Sequence, residues 1–404
     1  MNALPSPPSA THVLVVDDEP DIGELIAAAA ENVGMSCTTT TRAVDFRKEL
    51  AAETAIVMID LMMPDVDGIE LLRQLAAEGC SAALVLISGF DRKVLRAAED
   101  LASSLGLNAI GRLQKPFRIA EVEALLVRAR DARPAACAKR RTDEPLSEPE
   151  LRRALERGEV VVHYQPQIEL ATDCVVGLEA LVRLARPSGG LIYPELFIAT
   201  AERCGLIDLL TDLVMRRSIS EFASLAEAPA LTLSVNVCAA SLTDVHFPDR
   251  LGPIVQGAGL HPSRLVVEIT ETGLIGELGT ALDILTRLRM KQIGLSIDDF
   301  GTGYSSMAQL RRIPSTELKV DRMFVNDMLI DQEARAVVEK TIELGHDLDM
   351  KIVAEGVETA QQGAALRELG CDVAQGYHYS RPIAIADLKA WLATRRSRPF
   401  PVAS

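Results

Sequence analysis

The chain has 404 residues, 48% of them hydrophobic and only 4% aromatic, so two or three domains with aliphatic cores are expected. Its formal net charge of −15 argues against non-specific binding to nucleic acid or to an anionic membrane surface. Small anionic ligands then need a local supply of metal or arginine. No apolar run approaches the ~20 residues that span a bilayer, and the proline-rich Met1–Ala10 does not read as a signal peptide.

In chain order, residues 11–130 alternate short apolar runs with amphipathic stretches. His12–Val16, Ala55–Ile59 and Ala83–Ile87 read as strands, and Asp21–Asn32, Gly68–Glu78 and Ala120–Arg130 as helices. That alternation predicts a doubly wound α/β unit with a parallel sheet. Asp17 and Asp18 follow the first strand, Asp60 the third, Ser88 the fourth and Lys115 the fifth. All lie at the carboxyl edge of the sheet, where such folds carry their sites. An acid pocket for one divalent ion, a carboxylate nucleophile at Asp60, a hydroxyl and an ammonium suit phosphoryl transfer.

Residues 131–149 are charged and proline-bearing and read as a linker. Residues 150–395 resume the alternation with eight strand-like runs: Val160–Gln165, Val175–Val182, Leu231–Val237, Leu265–Thr270, Ile293–Ile297, Glu317–Val320, Lys351–Ala354 and Asp372–Gly376. Eight strands, mostly separated by helical segments, predict a (β/α)8 TIM-type barrel. The tail after Trp391 is polar and is expected to fray. Seven scattered cysteines (37, 80, 137, 174, 204, 238, 371) show no Cys-x-x-Cys and no zinc-ligand spacing; they read as reduced thiols of a cytoplasmic protein.

Polar residues again gather at the carboxyl ends of these runs. Glu179 lies in the second, Asn236 and Glu268 near the ends of the third and fourth, and Asp298-Asp299 at the end of the fifth. Lys319 and Asp321 close the sixth, Glu355 the seventh and Gln375 the eighth. Adjacent carboxylates repel and resist burial unless a cation lies between them. Glu179, Asn236, Glu268 and Asp298 offer oxygens to one hard cation, and Asp298, Asp299 and Asp321 to a second. Two such ions can activate water and clamp the attacked and leaving oxygens of a phosphodiester. Lys319 can orient the water or offset developing charge, and Arg183 suits a substrate phosphate.

Residues 11–130 resemble the response-regulator receiver domain, through Val-Val-Asp-Asp-Glu-Pro, Ile-Asp-Leu-Met-Met-Pro-Asp-Val-Asp-Gly, Ile-Ser-Gly and Gln-Lys-Pro-Phe. The resemblance implies a flavodoxin-like fold with Asp60 as phosphoacceptor. Asp17, Asp18 and Asp60 then hold one Mg²⁺, Ser88 and Lys115 read the phosphoryl group, and a sensor histidine kinase is the partner. Arg112 departs from the family, standing where a switch aromatic is common.

Residues 150–390 resemble the EAL-type cyclic di-GMP phosphodiesterase domain. The motifs are Tyr-Gln-Pro-Gln (164–167), Glu-Ala-Leu-Val-Arg (179–183), Val-Asn-Val (235–237) and Glu-Ile-Thr-Glu (268–271). They continue as Asp-Asp-Phe-Gly-Thr-Gly-Tyr-Ser-Ser (298–306), Leu-Lys-Val-Asp (318–321), Glu-Gly-Val-Glu-Thr (355–359) and Gln-Gly-Tyr (375–377). The resemblance implies hydrolysis of cyclic di-GMP to pGpG with two Mg²⁺ or Mn²⁺ ions, in a barrel whose first strand is antiparallel. It makes Glu179, Asn236, Glu268, Asp298, Asp299, Asp321 and Glu355 the metal-site residues. Glu355, Lys319 and Asp299 are the catalytic candidates, and Gln165, Arg183 and Gln375 the substrate contacts. Glu271, with Glu358, would anchor the 298–306 loop. Such domains commonly form homo-oligomers. Leu184, Arg186 and Cys238 depart from common family residues, and none is an expected ligand. The competing expectation is a catalytically weak receptor that binds cyclic di-GMP and signals through protein contacts. No basic stripe supports DNA binding.

Overall fold

The computed structural model describes residues 11–50, 54–64, 66–89, 92–131, 145–187, 189–225, 231–271, 278–301 and 307–395. The chain divides into two compact units between residues 143 and 144.

The first unit is a parallel sheet of β1 His12–Val16, β2 Ser36–Thr40, β3 Thr54–Asp60, β4 Ala83–Ser88 and β5 Asn108–Gln114. Its order, β2-β1-β3-β4-β5, is the flavodoxin-like one. Alternation along β1 sends Leu14 and Val16 to one face and Val13 and Val15 to the other. Helices Ala43–Glu49, Gly68–Ala77 and Arg92–Ser104 cover the first face, and Pro20–Asn32 and Ile119–Asp131 the second. Every residue of β3 is buried, which is why it reads as an unbroken apolar run. The edge strand β2, Ser-Cys-Thr-Thr-Thr, is part-exposed and carries no such run.

The second unit opens with helix Glu148–Glu156, which begins inside the stretch read as linker. Pro149 is no breaker there, because the first helical turn has no N–H partner to lose. Ser147 and Glu150 form a capping box at its start. The strands are β6 Val160–Glu169, β7 Cys174–Ala185, β8 Leu191–Ile192, β9 Thr232–Asn236, β10 Leu265–Thr270, β11 Gly294–Phe300, β12 Glu317–Val320, β13 Lys351–Ala354, β14 Val373–Ala374 and β15 Ile383–Ala384.

Eight of these close the barrel in the order β6-β7-β9-β10-β11-β12-β13-β14, and β14 returns to β6. β6 is antiparallel to both neighbours, as the resemblance implied; the other barrel pairs are parallel. The short β8 and β15 flank β7 and β6. The six described cysteines are free thiols. No helix among the described residues is long and apolar enough to cross a membrane.

Candidate active site

The carboxyl ends of the barrel strands converge on Lys319, which is fully buried. Its Nζ lies 2.9 Å from Glu268 Oε2, 3.2 Å from Asp298 Oδ1, 3.7 Å from Glu179 Oε1 and 2.5 Å from Glu355 Oε1. Burial pulls the ammonium's pKa down, but Asp298, Glu179, Glu268 and Glu355 hold it well above its ordinary value. Burial would raise Glu179, yet Lys319 and the amides of Gln375 and Asn236 keep it below the usual carboxylate range. Asn236 Nδ2 donates to Glu179 Oε1 at 2.8 Å, and Gln375 Nε2 donates to Glu179 Oε2. Burial, joined by the charges of Glu179 and Asp298, pushes Glu268 well up in spite of Lys319. Glu355 rises to about 8, mainly by burial, which Asp298 and Glu179 reinforce against Lys319.

Neighbours along a strand point to opposite faces, so Asp298 and Asp299 cannot both reach one site on a regular β11. The β11–β12 register shifts between Ile297 and Phe300, and Asp299 sits at φ 55° in the left-handed region. This irregularity turns both acids toward the centre, as β-bulges do. Oxygens of Asp298, Asp299 and Glu355 all lie within 4.8 Å of one another. Asp299 is raised to about 7 by burial, by Asp298 and by a hydrogen bond with Asp321. Asp321 also caps helix Arg322–Asp327, accepting from the Met323 N–H at 2.6 Å.

Hard divalent cations fit this donor set. Four carboxylates (Glu179, Glu268, Asp298, Glu355) surround one ammonium, Asp299 and Asp321 adjoin them, and Glu268 Oε1 is buried with no hydrogen-bond partner.

Gln375 Nε2 also donates to Gln165 Oε1 at 3.1 Å, and Gln165 Nε2 to the Ser380 carbonyl at 3.0 Å. Both glutamines thus back the acid cluster through Glu179. Arg183 stands further along β7, its guanidinium over the Tyr193 ring at 4.9 Å. A cavity of about 460 Å³, walled mainly by apolar side chains, opens beside Asn236; Pro194, Glu202 and Cys238 also line it. The Cys238 thiol bonds Glu202 Oε1 at 2.7 Å. Glu271 is buried and accepts from the Gly301 N–H at 3.0 Å. Residues 302–306 of the expected loop lie outside the described residues. Glu358 is exposed, and its N–H donates to Gln362 Oε1 at 2.8 Å.

In the first unit, β1 and β3 are neighbours, which sets Asp17 beside Asp60. Lys115 Nζ reaches Asp60 Oδ2 at 2.6 Å, Asp17 Oδ2 at 2.9 Å and Glu19 Oε1 at 2.8 Å. Burial raises Asp17 to about 6, although Lys115 opposes it. Burial likewise lowers Lys115, but bonds to Asp60, Glu19 and Asp17 leave it above its ordinary value. The carboxylates that could share an ion are Asp17, Glu19 and Asp60; Asp18 is not in that trio. Glu19 has no periodic signal in the sequence: it directly follows the acid pair as the N-cap residue of helix Pro20–Asn32, and its side chain makes no capping bond but reaches Lys115. Ser88 is buried at the end of β4, and its carbonyl accepts from the Lys115 N–H at 2.9 Å. Arg112 pairs with Glu99 at 2.8 Å.

A carboxylate-lined barrel of this topology, preceded by an aspartate-bearing receiver sheet, defines the class. The chain belongs to the EAL domain family, whose model matches residues 148–382, and a response regulator receiver domain matches residues 13–127. It is 32% identical over 378 residues to the cyclic di-GMP phosphodiesterase RocR of Pseudomonas aeruginosa, covering 92% of this chain and 96% of RocR. It is 43% identical over 264 residues to the cyclic di-GMP phosphodiesterase NbdA of the same organism, covering 65% of this chain but only 34% of NbdA. Among solved structures, the PaMucR phosphodiesterase in its c-di-GMP complex matches with a TM-score of 0.57 at 37% identity, over 59% of this chain and 98% of that one.

Proposed function

We propose that this chain hydrolyses cyclic di-GMP to linear pGpG with two divalent ions, under control of phosphorylation at Asp60. The observation that carries the reading is the buried Lys319 ammonium ringed by Glu179, Glu268, Asp298 and Glu355. The likeness to RocR, NbdA and the PaMucR complex supports the substrate.

Glu179, Asn236, Glu268 and Asp298 would hold one Mg²⁺ or Mn²⁺, and Asp298, Asp299 and Asp321 the other, with Glu355 a further candidate ligand. When bound, the ions stabilise charge on the attacked and leaving oxygens and lower the pKa of water. Glu355 would orient the attacking water and accept its proton. Lys319 keeps the carboxylates in place and offsets charge that develops on the phosphoryl group. Arg183 meets a phosphate, and the cavity beside Asn236 takes the apolar body of a base. In the receiver, Asp60 attacks the phosphoryl donor while Lys115 and Ser88 bind the phosphoryl oxygens; a sensor histidine kinase supplies the group. The chain works in the cytoplasm as a homo-oligomer.

The test is turnover of cyclic di-GMP by the purified chain, followed as pGpG by chromatography. Mg²⁺ or Mn²⁺ should support it, Ca²⁺ poorly, and chelator should abolish it. Glu355→Ala should remove nearly all turnover while leaving the Kd for cyclic di-GMP in Ca²⁺ within roughly ten-fold. Full activity in excess chelator would remove the two-ion reading.

A further inference from the structure

We propose that Tyr193 is a positioning residue for substrate: its ring holds the Arg183 guanidinium ready for a substrate phosphate. The inference rests on the reading of Arg183 as a phosphate contact.

The hairpin register carries the argument. β7 and β8 pair antiparallel with Leu184 opposite Ile192 and Ala185 opposite Leu191. One residue further, Tyr193 falls opposite Arg183, and directly opposed residues project to the same face. The guanidinium lies over the ring at 4.9 Å, and its Nη1 donates to the Val182 carbonyl at 2.7 Å. The contacts of the guanidinium among the described residues are thus with the Tyr193 ring and the Val182 carbonyl. Among the described residues, the ring is the group outside its own strand that meets the side chain.

A ring on one side of the guanidinium attracts the cation through its π face and uses none of the N–H donors as hydrogen bonds. Those donors suit the fork-like recognition of phosphate oxygens. Arg183 is four residues beyond Glu179 on the same strand, so alternation puts both on one face, ~13 Å apart. Tyr193 is 52% exposed, and the next residue, Pro194, lines the cavity beside Asn236. The Arg183–Tyr193 pair thus stands beside the candidate site without being part of the acid cluster.

The experiment compares Tyr193→Ala, Tyr193→Phe, Arg183→Ala and the double variant Tyr193→Ala/Arg183→Ala. It reads Kd for cyclic di-GMP in Ca²⁺, and KM and kcat in Mg²⁺. Tyr193→Ala should raise Kd and KM roughly two- to ten-fold, the scale of one cation–π contact, with kcat nearly unchanged. Tyr193→Phe, which keeps the ring, should restore both. In the Arg183→Ala background, Tyr193→Ala should add nothing. If Arg183→Ala weakens binding but Tyr193→Ala does not, or the two effects multiply, or Tyr193→Phe is as damaging as Tyr193→Ala, the positioning role is wrong and the reading of Arg183 stands. If Arg183→Ala leaves affinity unchanged, the phosphate contact itself is wrong.

Discussion

Asp298 and Asp299 are adjacent in the chain, yet both bring a carboxylate oxygen within 4.8 Å of Glu355. The register shift in β11 and the positive φ of Asp299 make this possible. A left-handed, half-buried aspartate is a costly conformation, of the kind found where a site over-determines its backbone. The acid cluster is crowded beyond what one ammonium can neutralise, and its energetics should respond to divalent ions.

Lys319→Met tests this through stability. Removing the ammonium seated among Glu179, Glu268, Asp298 and Glu355 leaves these carboxylates without their shared cationic partner. Such a loss costs about 3–5 kcal/mol. In chelator the melting temperature of the barrel should fall by several degrees, and Mg²⁺ or Mn²⁺ should recover part of the loss by binding the folded state. Recovery by neither ion would argue that the carboxylates do not hold metal.

The pH dependence of the metal-free chain has a definite sign. Asp299 is raised from 3.8 to about 7 and Glu355 from 4.5 to about 8. The folded state therefore binds more protons than the unfolded state across that window, and stability falls as pH rises through it. Below the ordinary carboxylate pKa the contribution is complete; above about 8 it is gone. Thermal melts in chelator should decline between pH 5 and pH 8, and saturating Mn²⁺ should flatten the slope, since cations take the place of the protons. A slope unchanged by Mn²⁺ would contradict the shared site.

Glu271→Ala should reduce turnover. The Glu271 carboxylate accepts from Gly301, whose φ of 98° suits glycine, at the edge of the segment that follows Asp298 and Asp299. A hydrogen bond to a charged group is worth ~1.5–3 kcal/mol, so kcat should drop roughly ten-fold or more. Glu271→Gln, which can still accept through its amide oxygen, should lose less. Unaltered kcat in Glu271→Ala would dismiss the anchoring role of Glu271.

Asp60→Asn should abolish any effect of acetyl phosphate and leave basal turnover measurable. Coupling energies of ~1–3 kcal/mol predict a several-fold change in the unaltered chain. A response that persists in Asp60→Asn places the phosphoacceptor elsewhere. Phosphorylation at Asp60 without any change in turnover makes the receiver a controller of partners or assembly instead.

The strand-end chemistry of both units was legible in the sequence because alternation and apolar runs are local. A buried strand such as β3 announces itself, and the acid or lysine that follows marks the carboxyl edge. Edge strands gave no such signal: β2 is part-exposed and threonine-rich, and β5 mixes Asn, Gly, Arg and Gln among its apolar residues. Pro149 reads as a linker residue from composition alone, and its place in a first helical turn depends on Ser147 and Glu150.

What the sequence alone determined is which side chains stand at the ends of the strands and what chemistry they can support. Tertiary structure decided which of them meet. Gln375 donates to Glu179 across nearly 200 residues because β14 closes the barrel on an antiparallel β6. Glu19, rather than Asp18, joins Asp17 and Asp60, because side-chain direction at a strand-to-helix turn is not periodic. Tyr193 faces Arg183 only through the β7–β8 register, and Asp299 turns inward only through the irregularity in β11. Local patterning specifies elements and their faces, whereas register, bulges and closure follow from how those faces pack against distant chain.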